Sequence, residues 1–102
     1  MKIYIAGKIT NDPNYRRKFD KAASRLKSNG NIVLNPSILP NGMEHHEYMH
    51  IRFAMIDVAD YLCFLPDWKD SKGAVMEYEY AKQNGKPCEV FDFMTGYYNP
   101  AV

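Results

Sequence analysis

Two short patterns in this sequence carry residue types that can do chemistry. The first is "DSKGAVMEYEYA", where Ser71, Lys72 and Gly73 open a helix-like run and Glu77 follows six residues after the serine. Free N–H groups at a helix N-terminus, together with a serine hydroxyl, bind phosphate or another anion well. A carboxylate beside such a site is costly unless it has a task, and attack on a sugar carbon is one. A plain N-cap at Ser71 and a capping or surface glutamate at Glu77 are the structural alternatives. The second pattern is His46-Glu47-Tyr48-Met49-His50, an H-E-x-x-H sequence of the kind that places two imidazoles one helical turn apart around zinc. A peptidase needs a third ligand and a cleft for an extended peptide. The residues after His50, "IRFAMI", contain neither the glycine nor the third histidine of the extended signature. A zinc metalloprotease is therefore a distant third reading, with adventitious zinc or nickel binding expected at most. No metal and no organic cofactor is required.

The elements that must position these residues follow from periodicity. Lys2 to Ala6 is short, apolar and β-branched, and ends at Gly7, which predicts a buried strand. Asp12-Pro13 offers an N-cap and a proline at the first helical position. Tyr15, Phe19, Ala22, Ala23 and Leu26 follow at helical spacing until Asn29-Gly30 stops the helix. "NIVLNP" is a second strand, and a loop runs from Ser37 to about Met43 with a turn at Pro40-Asn41-Gly42. A second helix spans about Glu44 to Ala59, its apolar stripe drawn from Tyr48, Ile51, Met55, Ile56 and Val58. "DYLCFLP" is apolar on both faces, as in a strand covered on both sides. A third helix starts near Ser71 or Gly73 and ends at Asn84-Gly85. "KPCEVF" is the fourth strand, and "DFMTGYYNPAV" is a tail from about residue 92 with no periodicity.

The order β-α-β-α-β-α-β, with right-handed crossovers, predicts a three-layer α/β/α domain over residues 1–102. Its four-stranded parallel sheet is expected in the order 2-1-3-4, flavodoxin- or Rossmann-like. Ligands in open α/β sheets bind at the carboxyl ends of the strands where the order reverses. That rule points to Gly7-Lys8-Ile9-Thr10 and to the loop "PDWKDSKG".

Composition narrows the partners. The chain has 102 residues, 46% apolar and 25% charged, with a formal net charge of +1. One domain with one core is expected, without the basic field that would advertise a nucleic acid polymer. Arg16-Arg17-Lys18 is offset by Asp12 and Asp20 and reads as a solvated helix face. No run approaches the roughly 18 apolar residues of a membrane span, and "MKIYIAG" does not read as a signal peptide. Cys63 and Cys88 lie in strand-like runs and form no C-x-x-C pair, so reduced thiols and a cytoplasmic setting are expected.

Two blocks resemble the nucleoside 2-deoxyribosyltransferase superfamily, which includes deoxynucleoside 5′-monophosphate N-glycosidases. "IYIAGKIT" is similar to its Y-x-x-G opening. "ADYLCFLPDWKDSKGAVMEYEYAKQNGKPC" is similar to its strand, polar turn, S-x-G-x-x-x-E and G-K-P sequence. The resemblance covers nearly the whole chain and is greatest to short phage and prophage members. It implies that Glu77 is the nucleophile at the anomeric carbon and that Ser71 and Gly73 hold a 5′-phosphate. It also implies that Tyr4, Gly7 and Ile9 contact sugar and base, in a homodimer or higher homo-oligomer. One position departs from the pattern. Eight residues before Asp60, where the family usually has an aspartate that handles protons on the leaving base, stands Arg52. An arginine does not act as a general acid at neutral pH; pairing with Glu77 or clamping a phosphate are the roles open to it.

Further candidates carry competing readings. Trp68 and Tyr48 could stack on a base or simply pack. Lys8 and Lys72 could approach a phosphate or stay in solvent. Asp67 and Asp70 read as turn formers. Tyr97, Tyr98 and Asn99 invite a role at a neighbouring subunit's pocket, with no individual residue matched to it. The leading expectation is cleavage or transfer at the N-glycosidic bond of a (deoxy)nucleoside 5′-monophosphate. The alternative is a non-catalytic nucleotide binder or sequestering protein, motivated by Arg52.

Overall fold

The computed structural model describes residues 1–92 and the backbone of a last short strand, Tyr98–Pro100. The elements run β1 (Lys2–Ala6), α1 (Tyr15–Ser28), β2 (Ile32–Leu34), α2 (His45–Val58), β3 (Tyr61–Phe64), α3 (Lys72–Gln83), β4 (Cys88–Phe91) and β5 (Tyr98–Pro100). Short 3-10 turns at Pro36–Ile38 and Trp68–Asp70 sit in the loops after β2 and β3. The sheet order is β2-β1-β3-β4-β5. The first four strands are parallel in the expected order, with Tyr4 opposite Leu34 on one side and Leu62 on the other.

The alternation of β1 sorts the core into two layers. Ile3 and Ile5 point to α1, where Phe19, Ala22, Ala23 and Leu26 meet them. Tyr4 and Ala6 point to the opposite layer, with Ile56 of α2 and Ala74 and Ala81 of α3. All four residues of β3 are buried, as a strand covered on both faces requires. A fully buried Leu, Ile or Phe in such a layer contributes about 1.5–3 kcal/mol.

Three local expectations are corrected. α1 starts at Tyr15 with Asn14 as N-cap, two residues later than Asp12-Pro13 suggested. The Asp12 carboxylate instead accepts the Asn14 N–H in a turn and pairs with Lys18. On α2 the buried residues are Met49 and Ile56, whereas Val58 is 56% exposed, because it stands about 200° round the helix from Ile56. The tail is not featureless either. Residues 98–100 add an antiparallel edge strand, pairing Phe91 with Tyr98 and Glu89 with Pro100. Once β4 ends, its outer ladder is unpaired, and a returning chain satisfies it. Tyr97 and the side chains of Tyr98 and Asn99 lie outside the described residues.

Candidate active site

Loops after β1, β2 and β3 converge on the α2 and α3 N-termini around a cavity of about 600 Å3. That size lies within the roughly 300–1,000 Å3 of small-molecule sites. Lys8, Ile9, Thr10 and Asn11 line one wall, Pro36, Leu39 and Asn41 a second, and Ser71, Lys72 and Gly73 a third. Tyr48 and Arg52 of α2 complete it. Its permanent charges are the cations Lys8, Arg52 and Lys72 against the single carboxylate of Asp70, a balance that favours an anionic ligand.

The walls are held by specific bonds. Arg16 donates to the carbonyl of Ser37 (3.2 Å) and the side chain of Asn41 (3.1 Å), while the Tyr48 hydroxyl donates to the Pro40 carbonyl. Asp67 accepts the Lys8 backbone N–H at 3.1 Å and pairs with Lys18, which also pairs with Asp12. Partial burial works against the Lys18 charge, but bonds to the two carboxylates outweigh it and raise its pKa. Asp67 thus ties the loop after β3 to the loop after β1. Asn11 turns the chain toward α1 with φ of 62°, a left-handed conformation that asparagine tolerates.

Ser71 is the N-cap of α3, its Oγ accepting the Ala74 N–H at 3.1 Å. The N–H groups of Lys72 and Gly73 have no acceptor inside the helix, and both residues line the cavity. One turn beyond Gly73, on the same helical face, lies Glu77, only 2% exposed. No other acidic side chain among the described residues is buried. The Tyr4 hydroxyl, itself fully buried, reaches across from β1 and donates to Glu77 Oε2. Burial pushes the Glu77 pKa up to about 7, against the Tyr4 hydrogen bond and the Arg52 charge, which both favour the carboxylate. Burial, then the neighbouring Glu77, holds the Tyr4 phenol well above its ordinary value. The strand-to-helix bond from Tyr4 thus supports the ionised form against the burial that opposes it.

Arg52 is the other charged group set near Glu77. Its guanidinium lies 5.3 Å from the Tyr48 ring centre and 4.0 Å from the Met49 sulfur. A Cβ placed on Gly73 would stand 3.7 Å from one of its terminal nitrogens. Its Nε is buried without a hydrogen-bond partner, a defect that costs about 1–3 kcal/mol. Arg52 and Gly73 reach the cavity and Glu77 does not.

Of the residues singled out from sequence, Lys8, Ile9, Arg52, Ser71 and Gly73 line the cavity, and Tyr4 and Glu77 pair beneath it. Gly7 and Trp68 do not reach it. Gly7 is buried where a Cβ would come within 2.8 Å of Leu65, so its missing side chain serves strand-to-loop packing. Trp68 is 6% exposed and packs against Phe64 and Tyr78, with ring centres 4.9 and 4.8 Å away. Tyr48 does line the ligand space, and so does Tyr15, the first residue of α1. Glu47 of the H-E-x-x-H pattern accepts the Glu44 N–H at 2.8 Å as the third residue of α2, a helix-start role. His46 and His50 are exposed, and among the described residues no three His, Cys, Asp or Glu side chains gather as metal ligands. The tie through Lys18 escaped sequence reading, because a lysine flanked by acids looks the same whether solvated or paired.

This parallel sheet, with its order reversing between β1 and β3, shares its fold with two 2-deoxyribosyltransferases of known structure. The chain is similar in structure to a 2-deoxyribosyltransferase from Leishmania mexicana, with a TM-score of 0.71 and 21% identity. The likeness covers 88% of this chain, which spans 63% of the length of that one. A 2-deoxyribosyltransferase from Bacillus psychrosaccharolyticus is similar at a TM-score of 0.68 and 19% identity over 100% of both chains. In sequence, residues 1–90 match the family described as a domain of unknown function, DUF4406, and the chain belongs to it. No curated protein matches the sequence.

Proposed function

We propose that the protein breaks or transfers the N-glycosidic bond of a deoxynucleoside 5′-monophosphate, with Glu77 as the nucleophile at the anomeric carbon. The observation that carries this reading is the buried, Tyr4-bound carboxyl of Glu77, one turn behind the Ser71–Gly73 helix start. A buried acid kept beside an anion-favouring cavity weakens the fold, and such arrangements mark functional sites. In the first step the ionised Glu77 attacks C1′, the C1′–N bond breaks, and a glycosyl-enzyme forms. Water or a second base then attacks C1′ and returns the carboxylate, the logic of retaining glycoside chemistry. Ser71 and the first N–H groups of α3, with Lys8 and Lys72, hold the phosphate. Tyr4 orients the carboxylate. Arg52, on its flexible stem, turns toward the ligand to open the path to Glu77.

The test is base release from a panel of deoxy- and ribonucleoside monophosphates, read by chromatography. Glu77→Ala is expected to lower release by roughly 10⁴-fold or more. Release at the parental rate would refute the assignment. A second reading, a nucleotide binder without turnover, is favoured by Arg52 reaching the cavity while Glu77 does not. Mass spectrometry of freshly purified, denatured protein distinguishes it: a retained nucleotide together with absent base release supports the binder.

A further inference from the structure

The proposed chemistry leaves open how the departing base is accommodated, and the polar groups around Glu77 bear on this. Tyr4 is already committed, donating its proton to Glu77. The nearest acid on α2, Asp57, accepts from Tyr80 at 2.6 Å in an exposed position outside the cavity. Asp70 belongs to the turn before α3. His45, also in the cavity wall, stands seven residues before Arg52, about two helical turns away along α2. What remains near the carboxylate is Arg52, a cavity-lining guanidinium that makes no ion pair among the described residues and has a buried Nε without an acceptor. Guanidinium keeps its proton at all working pH values, so it cannot deliver one to a leaving group. It can donate hydrogen bonds to negative charge as that charge develops, and a low-dielectric pocket strengthens this effect.

Resting on the glycosidic reading above, we propose that Arg52 is the specificity-determining residue for the base. It selects nucleotides whose base leaves as an anion with a carbonyl beside the glycosidic nitrogen, the 2-oxopyrimidines, over purines. The Glu77 carboxylate gives an electron pair to C1′, and the C1′–N pair passes to the ring nitrogen and spreads onto the adjoining oxygen. Arg52 N–H groups donate to that oxygen and keep their protons. Water then attacks C1′, the C1′–O bond to Glu77 breaks with its pair returning to the carboxylate, and the water's proton goes to the base anion. Purines depart readily only after ring protonation, and a cation beside them opposes that protonation. The oxygen acceptor also satisfies the orphaned Nε, which draws Arg52 off its present seat on Met49 and Tyr48.

The experiment has two arms, each with wild type, Arg52→Gln and Glu77→Ala, after circular dichroism shows equal folding. In the first, base release is measured for deoxynucleoside monophosphates of uracil, 5-fluorouracil, 5-nitrouracil, adenine and guanine. Wild type is expected to speed up at least tenfold from uracil to 5-nitrouracil. Arg52→Gln should lower pyrimidine release roughly 10²-fold or more and raise purine release, because the cation that opposed ring protonation is gone. In the second, binding of the free 5-nitrouracil anion and of inorganic phosphate is measured at about pH 8. The base anion should lose at least tenfold in affinity in Arg52→Gln, and phosphate should not. Equal purine and pyrimidine release, or a loss confined to phosphate, overturns the assignment. If no nucleotide is cleaved by wild type but the base anion still depends on Arg52, the glycosidase reading fails while Arg52 stands as the base-recognition residue.

Discussion

Replacing Glu77 by glutamine isolates the free energy stored in one buried ionisation. The carboxyl group is raised from its ordinary 4.5 to about 7, with burial as the dominant cause. As pH rises through this interval the unfolded chain releases its proton while the folded chain keeps it. Wild type therefore loses stability progressively between about pH 4.5 and 7 and levels off above that. The full loss is about 3 kcal/mol. Glutamine keeps an acceptor for Tyr4 and has no charge to desolvate, so its stability lacks this pH dependence. The gap between the variants should move by about 3 kcal/mol in favour of Glu77→Gln from pH 4 to pH 8. Any constant cost of the amide cancels in that comparison. Urea unfolding followed by Trp68 fluorescence reads it directly. With a denaturant slope of about 1–1.5 kcal/mol/M, the midpoints should separate by a further 2–3 M. A gap that stays constant from pH 4.5 to 8 would show that burial does not penalise this carboxylate.

Two further outcomes are expected. Tyr4→Phe removes the donor that favours the Glu77 carboxylate, so the Glu77 pKa should climb above about 7 and stability at pH 8 should fall by about 1–3 kcal/mol; a carbon-13 carboxyl titration and urea unfolding check both, and an unmoved pKa refutes the coupling. Gly7→Ala drives a methyl against Leu65 and should cost about 1–3 kcal/mol, read as a lowered melting temperature, with no effect expected if the loop yields freely.

The sheet was legible because its signals are local and redundant. Two-sided apolar runs such as "YLCF" name a covered strand, and Asn29-Gly30 closes α1 with glycine at φ of 86°. Glu77 stood out through its spacing from Ser71 together with the resemblance of that block to a known family, and its burial could not be read from either. Side-chain direction was harder to read. Trp68 and Tyr48 are equally plausible stacking residues in sequence, yet one is fastened between Phe64 and Tyr78 and the other faces the cavity. The glycine of a tight approach looks the same whether its neighbour is a ligand or Leu65. Edge strand β5 was hidden because three residues have too few positions to show alternation, and its pairing partner is supplied by the tertiary fold.

The bridge from Asp67 to Lys8 and Lys18 has a consequence for traffic. Loops leaving β1 and β3 part company at the reversal of strand order, and that opening would otherwise be a doorway. Here a carboxylate ties the two loops together on the α1 side. Leu39 and Asn41 from the loop after β2, and Lys72 and Met76 from α3, line the space beyond that tie. An anionic molecule in that space meets Lys72 from one wall and Arg52 from another.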